Sequence, residues 1–250
     1  MHLLGNKYIR TYFIYSIGEY VKIVSPIFLL PIFTRILSQG DYGVISTFSA
    51  ITSILGVFVS FSATGAVNRA YIDSKHTNLD FNSYLGNAIM TNTILCIMLC
   101  FPLIIIGYLN VVNLPRSLFF IIPLVLLMKS LMAYKQKLWI LQEKPIQNSI
   151  FEAGFRFLSL ILSLLFVLII FPDWRGRIIG LILANLLFCV LSLFRLKKED
   201  NFIFNYNRVY VKDILKFGAP LIFHGIGIML IGTVDKLILN NQLGLDEVGV

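Results

Sequence analysis

The chain has 250 residues, of which 57% are hydrophobic and only 14% are charged. A soluble globular domain carries about 25% charged residues, so the composition excludes one and indicates a protein that spans a membrane several times. The formal net charge of +8 does not indicate a nucleic-acid-binding protein. The basic residues lie between apolar runs, and no soluble basic domain is present to hold a duplex.

No motif predicts an enzyme, a cofactor or a metal site. The three cysteines, Cys96, Cys100 and Cys189, lie inside apolar runs, where they are expected to be small buried hydrophobic residues. Gly225 and Gly227 do not form a phosphate-binding loop, because no strand precedes them and a third glycine is misplaced. No HExxH, GxSxG or Walker lysine occurs, so no catalytic residue is expected.

Apolar runs of about 20 residues, the length that crosses a bilayer core about 30 Å thick, define the predicted fold. They predict seven spans, at residues 11–37, 43–67, 84–109, 117–140, 146–171, 178–194 and 214–239. The expected fold class is therefore all-α, a polytopic bundle of membrane helices. The first run has no small-residue cleavage site and is expected to be an uncleaved span rather than a signal peptide.

The distribution of Lys and Arg predicts the orientation of the bundle. Thirteen of these residues lie on the side of the N-terminus, five lie on the other side and three lie within the spans. Cytoplasmic loops are enriched in Lys and Arg, so the N-terminus is expected to be cytoplasmic. The loops on the other side are short, which argues against a polysaccharide polymerase or a membrane glycosyltransferase.

The longest predicted inner loop, residues 195–213, is basic and rich in aromatic residues. It joins the sixth span to the seventh and is expected to lie on the anionic inner leaflet. Trp139 and Trp174 lie near predicted span ends, where interfacial belt residues are expected, with sugar stacking by Trp174 as an alternative.

A weak internal repeat predicts the domain organisation. The pattern of residues 25–44, an apolar run closed by charge and followed by a polar turn, returns in residues 214–250. Both copies start on the same side, as expected for a parallel repeat. The predicted domains are a six-helix lobe at 1–196, a cytoplasmic linker at 197–213 and the start of a second lobe at 214–250.

Several strings resemble one membrane-protein family. LLPIFTRILSQGDYGVIS closes the first span and opens the second, ATGAVNRAY ends the second, and SYLGNAI opens the third. Together with DKLIL and LGLDEVGV near the end, they resemble the amino-terminal half of the Wzx-type oligosaccharide flippases. These belong to the exporter superfamily that also holds the multidrug and toxin extrusion exporters and the lipid II flippases.

The resemblance implies two six-helix lobes around a cavity that opens to each side of the membrane in turn. It implies transport of an undecaprenyl-diphosphate-linked oligosaccharide across the bacterial inner membrane, for O-antigen, capsule or exopolysaccharide synthesis. Membrane lipids are expected partners, and the polysaccharide polymerase machinery is a further candidate. A cavity between two lobes has only one wall when the second lobe is represented by a single helix. These 250 residues alone are therefore expected not to transport substrate unless another polypeptide or a dimer supplies the second wall.

Ionisable residues within spans are the candidate site residues, because each costs about 2.5–3.5 kcal/mol to insert. Glu19 and Lys22 share a face of the first span, and Lys22 lies about 18 Å of helix beyond Arg10, too deep to reach the interface. They either neutralise each other, or Lys22 faces the cavity and binds a lipid diphosphate while Glu19 couples transport to an ion. Lys129 either reaches the interface or lines the same path.

Glu152 and Arg156 have the i, i+4 spacing of an internal pair. Arg35 and Arg69 close the first and second spans, where they either contact headgroups or lie on the substrate path. The span residues leave one net positive charge, which favours an anionic substrate. The alternatives are a cation-coupled exporter of small amphipathic molecules that uses Glu19 and Glu152, and a non-transporting remnant.

Overall fold

The computed structural model describes residue 31 and residues 33–60, 63–109 and 112–243. These ranges contain seven helices: α1 (Gln39–Ser60), α2 (Ala63–Asp73), α3 (Phe81–Tyr108), α4 (Arg116–Leu141), α5 (Pro145–Ile169), α6 (Trp174–Asp200) and α7 (Arg208–Leu243). Residues 33–36 are helical as well. No strand occurs within the described ranges, which confirms the predicted all-α class.

Five stretches of the described chain are long and apolar enough to cross a membrane. They are Gln39–Asp73, Phe81–Tyr108, Arg116–Leu141, Pro145–Ile169 and Trp174–Asp200. They coincide with the second to sixth predicted spans and confirm a polytopic membrane bundle. The predicted seventh span, 214–239, lies within α7, and the predicted first span, 11–37, lies mostly outside the described residues.

Large apolar side chains cover the outer faces of the helices. Phe101 is 72% exposed, Ile169 is 74% exposed and Phe120 is 63% exposed. A soluble protein rarely exposes so many large apolar side chains along its helices, whereas a bilayer solvates them. These faces are therefore the lipid-facing surfaces of the spans.

The described residues divide into two compact units. One contains Gln136–Phe188 with the described residues up to Ser38, and the other contains Gln39–Lys135 with the described residues from Cys189 onward. Within the second unit, α7 packs against α1, α2 and α3. The predicted division at 1–196, 197–213 and 214–250 stays a prediction.

The non-helical connection between α6 and α7 is shorter than the predicted linker. It comprises residues 201–207, because α6 continues to Asp200 and α7 begins at Arg208. Asn201 has a φ of 45° and ends α6 in the left-handed region, which asparagine tolerates well. We name residues 201–207 the connecting segment.

The connecting segment is fixed to the first turns of α3. The Asn87 side-chain amide donates to the Asn205 carbonyl at 2.7 Å, and its oxygen accepts from the Asn207 amide at 2.9 Å. The Ile203 amide donates to the Asn82 carbonyl at 3.2 Å. These bonds pair backbone amide and carbonyl groups of the connecting segment, which is not itself helical.

Asp80 caps the N-terminus of α3. Its carboxylate accepts hydrogen bonds from the amides of Asn82 at 3.1 Å and Ser83 at 3.3 Å, and from the Ser83 hydroxyl at 2.6 Å. The hydroxyl bond above all, and then the Ser83 amide, hold the pKa of Asp80 below its ordinary value. The cap is therefore strongest when the carboxylate is ionised.

Replacing Asp80 with alanine is expected to lower the free energy of unfolding by about 1 kcal/mol at neutral pH. Since the folded pKa lies below the unfolded value, this stabilisation is present above about pH 4 and is lost as the pH falls through the folded pKa. Thermal unfolding in detergent should show the loss for Asp80→Ala and a smaller one for Asp80→Asn, which retains a capping oxygen. Equal stability of wild type and Asp80→Ala at pH 7 would refute the cap.

Candidate functional site

Three of the predicted site residues belong to the first predicted span or its end. Glu19 and Lys22 lie outside the described residues, so their predicted pairing and roles stay predictions. Arg35 lies in the short helical stretch 33–36 and is exposed. An exposed guanidinium at a span end is available to a lipid headgroup or to a substrate anion.

Glu152 and Arg156 form an ion pair on α5. Arg156 Nη2 lies 3.2 Å from Glu152 Oε1, and Arg156 Nε donates to the same oxygen at 3.2 Å. Gln136 Nε2, near the end of α4, donates to the other carboxylate oxygen at 2.5 Å. The carboxylate is thus engaged on both oxygens, and its side chain is only 13% exposed, against 41% for Arg156.

This arrangement presents Arg156 rather than Glu152 to a ligand. A guanidinium has five N–H donors, and the carboxylate that fixes Arg156 takes one on Nε and one on Nη2. A planar guanidinium held in this way suits bidentate contact with phosphate oxygens. Arg156 can therefore both neutralise the partly buried Glu152 carboxylate and bind an anion.

Aromatic rings pack beside this pair and fix the helices that carry it. Phe151 contacts Trp139 at a centroid distance of 5.3 Å and Phe188 at 4.9 Å, and Phe155 contacts Phe188 at 5.6 Å. Edge-to-face packing of this kind locks ring orientations. Trp139 is only 3% exposed, so the prediction that it is an interfacial belt residue is wrong.

Lys129 is an exposed residue on a largely buried part of α4. Its neighbours Met128 and Ser130 are buried, whereas the Lys129 residue is exposed. A lysine at this depth is costly in lipid, so it either reaches the interface or faces a wet cavity. Its predicted place on a substrate path is compatible with this exposure and stays a prediction.

Arg69 at the end of α2 binds Asp213 of α7. The Tyr84 hydroxyl donates to the same carboxylate at 2.8 Å, and Arg69 Cζ lies 4.7 Å from the centroid of the Phe217 ring. Asp73 lies one helical turn on, at 3.9 Å from Arg69 Nε. The contacts of Arg69 thus join α2, α3 and α7, and a substrate contact by Arg69 stays a prediction.

A second ion-pair cluster was not expected from the sequence. Lys135 on α4 has a fully buried side chain, and its Nζ lies 2.5 Å from Asp200 Oδ2 and 2.9 Å from Glu199 Oε2. Arg195 Nη1 lies 3.0 Å from Glu199 Oε1. Lys135 lies inside the predicted fourth span, 117–140, and its charge was counted only as one of the cations on the N-terminal side of the membrane. The only signal in the sequence was the acidic pair at the end of the sixth apolar run.

Comparison with known proteins assigns the chain to a family. Residues 9–250 match the family described as polysaccharide biosynthesis protein. A protein of the Lsg locus of Haemophilus influenzae is 22% identical over 249 residues, which cover 95% of this chain and 58% of that protein. The chain thus spans less than two thirds of that relative, and no solved structure matches it significantly. With the five apolar spans, the match over residues 9–250 identifies a multi-pass membrane protein that belongs to the polysaccharide biosynthesis protein family.

Proposed function

We propose that the protein moves undecaprenyl-diphosphate-linked oligosaccharides from the inner to the outer leaflet of the bacterial inner membrane. The observation that carries the proposal is the family match over residues 9–250, together with five apolar spans in the described part of the chain. A polysaccharide precursor that is made on one side of a membrane and used on the other needs a multi-pass membrane protein to carry it across. Transport by alternating access, with the N-terminus cytoplasmic, completes the proposal.

The charges within the spans support an anionic substrate. Lys129 is exposed on α4, and Arg156 is half-exposed while it neutralises Glu152. A lipid diphosphate carries the negative charge and the oxygen acceptors that these two cations suit. Within the described spans, Glu152 is already neutralised by Arg156, whereas a transporter of cationic drugs would need an acidic group that is not.

The ion pair between Arg69 and Asp213 suggests how alternating access could be controlled. If α7 is the first helix of a second lobe, this pair and the Tyr84 hydroxyl bond hold the two lobes together at one end of the bundle. Opening at that end would break the pair. The partial exposure of both side chains, 41% and 40%, places the pair where water can solvate the separated charges.

Neutralising Arg156 or Lys129 is expected to reduce export when equal amounts of folded protein are compared. Arg156→Gln and Lys129→Gln should each lower the rate of polysaccharide export about tenfold, the effect of losing one charge-assisted contact to phosphate. The measurement is surface polysaccharide in cells whose own gene is deleted and which express equal amounts of each variant. Arg175→Gln, which neutralises an exposed arginine at the start of α6, is the matched control.

Normal export by both variants at normal protein levels would remove the cation-contact mechanism. If deletion abolishes drug efflux and leaves surface polysaccharide intact, the exporter alternative is favoured. If deletion changes neither, the proposal of a transport role fails.

A further inference from the structure

Four exposed cations surround the connecting segment. They are Lys197 and Lys198 at the end of α6, and Arg208 and Lys212 at the start of α7. None of the four forms an ion pair within the part of the chain that the structure describes. Their charge is therefore available to an external anion.

The carboxylates of the same stretch are each engaged by a cation. Glu199 and Asp200 bind the buried Lys135, and Asp213 binds Arg69. Residues 197–213 therefore present a more positive surface than the sum of their formal charges indicates. This separation of charges is a property of the fold and cannot be seen in the formal charge of residues 197–213.

Exposed apolar and aromatic side chains lie between these cations along the chain. Phe204 is 67% exposed, Tyr206 is 64% exposed, and Val209 is 71% exposed. They lie beyond the end of the membrane-crossing stretch Trp174–Asp200, where the helix leaves the apolar core. Aromatic and aliphatic side chains next to Lys and Arg are typical of a surface at the headgroup level of a bilayer.

The backbone that presents these side chains is already fixed. Asn87 bonds to Asn205 and Asn207, and Ile203 bonds to Asn82. A surface that is ordered before it meets its ligand loses less conformational entropy on binding. The connecting segment is thus a preformed surface rather than a flexible linker.

We propose that this surface, formed by Lys197, Lys198, Arg208 and Lys212 with the exposed side chains of Phe204, Tyr206 and Val209, binds the headgroups of anionic membrane lipids. The lipid phosphates contact the four cations, and the apolar side chains enter the headgroup region. The preference is for anionic over zwitterionic lipid, because the zwitterion presents its own cation to the same surface. The proposal does not depend on the substrate of the transporter.

Native mass spectrometry of the detergent-purified protein, titrated with phosphatidylglycerol or phosphatidylcholine, tests this proposal. Wild type should retain phosphatidylglycerol at least tenfold more tightly. Replacing all four cations with glutamine should remove most of that preference, since each cation near an anionic surface contributes about fivefold. The control combines Arg116→Gln with Arg175→Gln. These residues lie at the start of α4 and of α6, and the control variant should keep the preference for phosphatidylglycerol.

Thermal unfolding of every variant shows whether it is folded, and the four substitutions replace exposed side chains only. If the fourfold variant unfolds, the pairs Lys197→Gln with Lys198→Gln and Arg208→Gln with Lys212→Gln should each lose part of the preference. Equal binding of the two lipids by wild type would overturn the proposal. An undiminished preference in the fourfold variant, or in both pairs, would overturn it as well.

Discussion

Replacing Lys135 with methionine is expected to lower the free energy of unfolding by about 3–5 kcal/mol. The lysine side chain is fully buried and the Asp200 side chain is 3% exposed, so the substitution leaves a buried carboxylate without its counter-charge. Removing one partner of a buried pair is costly because the remaining charge has lost both water and protein contacts. Thermal or denaturant unfolding in detergent measures the loss.

Two further variants separate the ion pair from the volume of the side chain. Lys137→Met removes a lysine two residues along α4 that is only partly buried, and its effect should stay within about 0.5 kcal/mol. Asp200→Asn introduced into Lys135→Met should recover much of the loss, because it removes the unpaired charge. If Lys135→Met is as stable as wild type, the buried cluster does not stabilise the fold.

Replacing Gly86 with alanine is expected to be the second most damaging change. A Cβ at this position would overlap the backbone carbonyl oxygen of Ile203, which is tied to Asn82 and cannot move independently. Overpacking against backbone costs about 1–3 kcal/mol. Thermal unfolding should show this loss, and amide hydrogen exchange of residues 201–207 should become faster.

Gly227→Ala is the matched control on α7. No atom lies within 4 Å of the Cβ that it would add, and alanine favours a helix over glycine by about 1 kcal/mol. The two substitutions should therefore change stability in opposite directions. A stabilising or neutral Gly86→Ala would show that the connecting segment does not pack as tightly on α3 as the structure indicates.

The sequence predicted helices well where an apolar run and a polar boundary coincide. The predicted span 117–140 corresponds to α4 (Arg116–Leu141), and 146–171 corresponds to α5, which starts at Pro145 as proline favours. The ends of α6 and α7 were predicted poorly, because both helices continue through charged residues beyond the apolar run. Hydrophobicity locates the part of a helix in the membrane, not the end of the helix.

The charged clusters show a second limit of prediction from sequence. Glu152 and Arg156 could be paired from their spacing, since residues four apart share a helix face. Lys135 and Asp200, or Arg69 and Asp213, are far apart in sequence and meet only through helix packing. The basic and aromatic character of residues 195–213 can be read from the sequence, but the attachment of the connecting segment to Asn87 depends on tertiary structure.

Translocation in a reconstituted system tests the central claim most directly. The intact polypeptide that carries these residues is placed in vesicles whose undecaprenyl-diphosphate-linked oligosaccharide bears a fluorescent sugar label, and a membrane-impermeant quencher is added outside. With protein present, quenching should proceed beyond the outer-leaflet half and approach the total signal, and Arg156→Gln should slow this second phase. Quenching that stops at the same half with and without folded protein would contradict the proposed function.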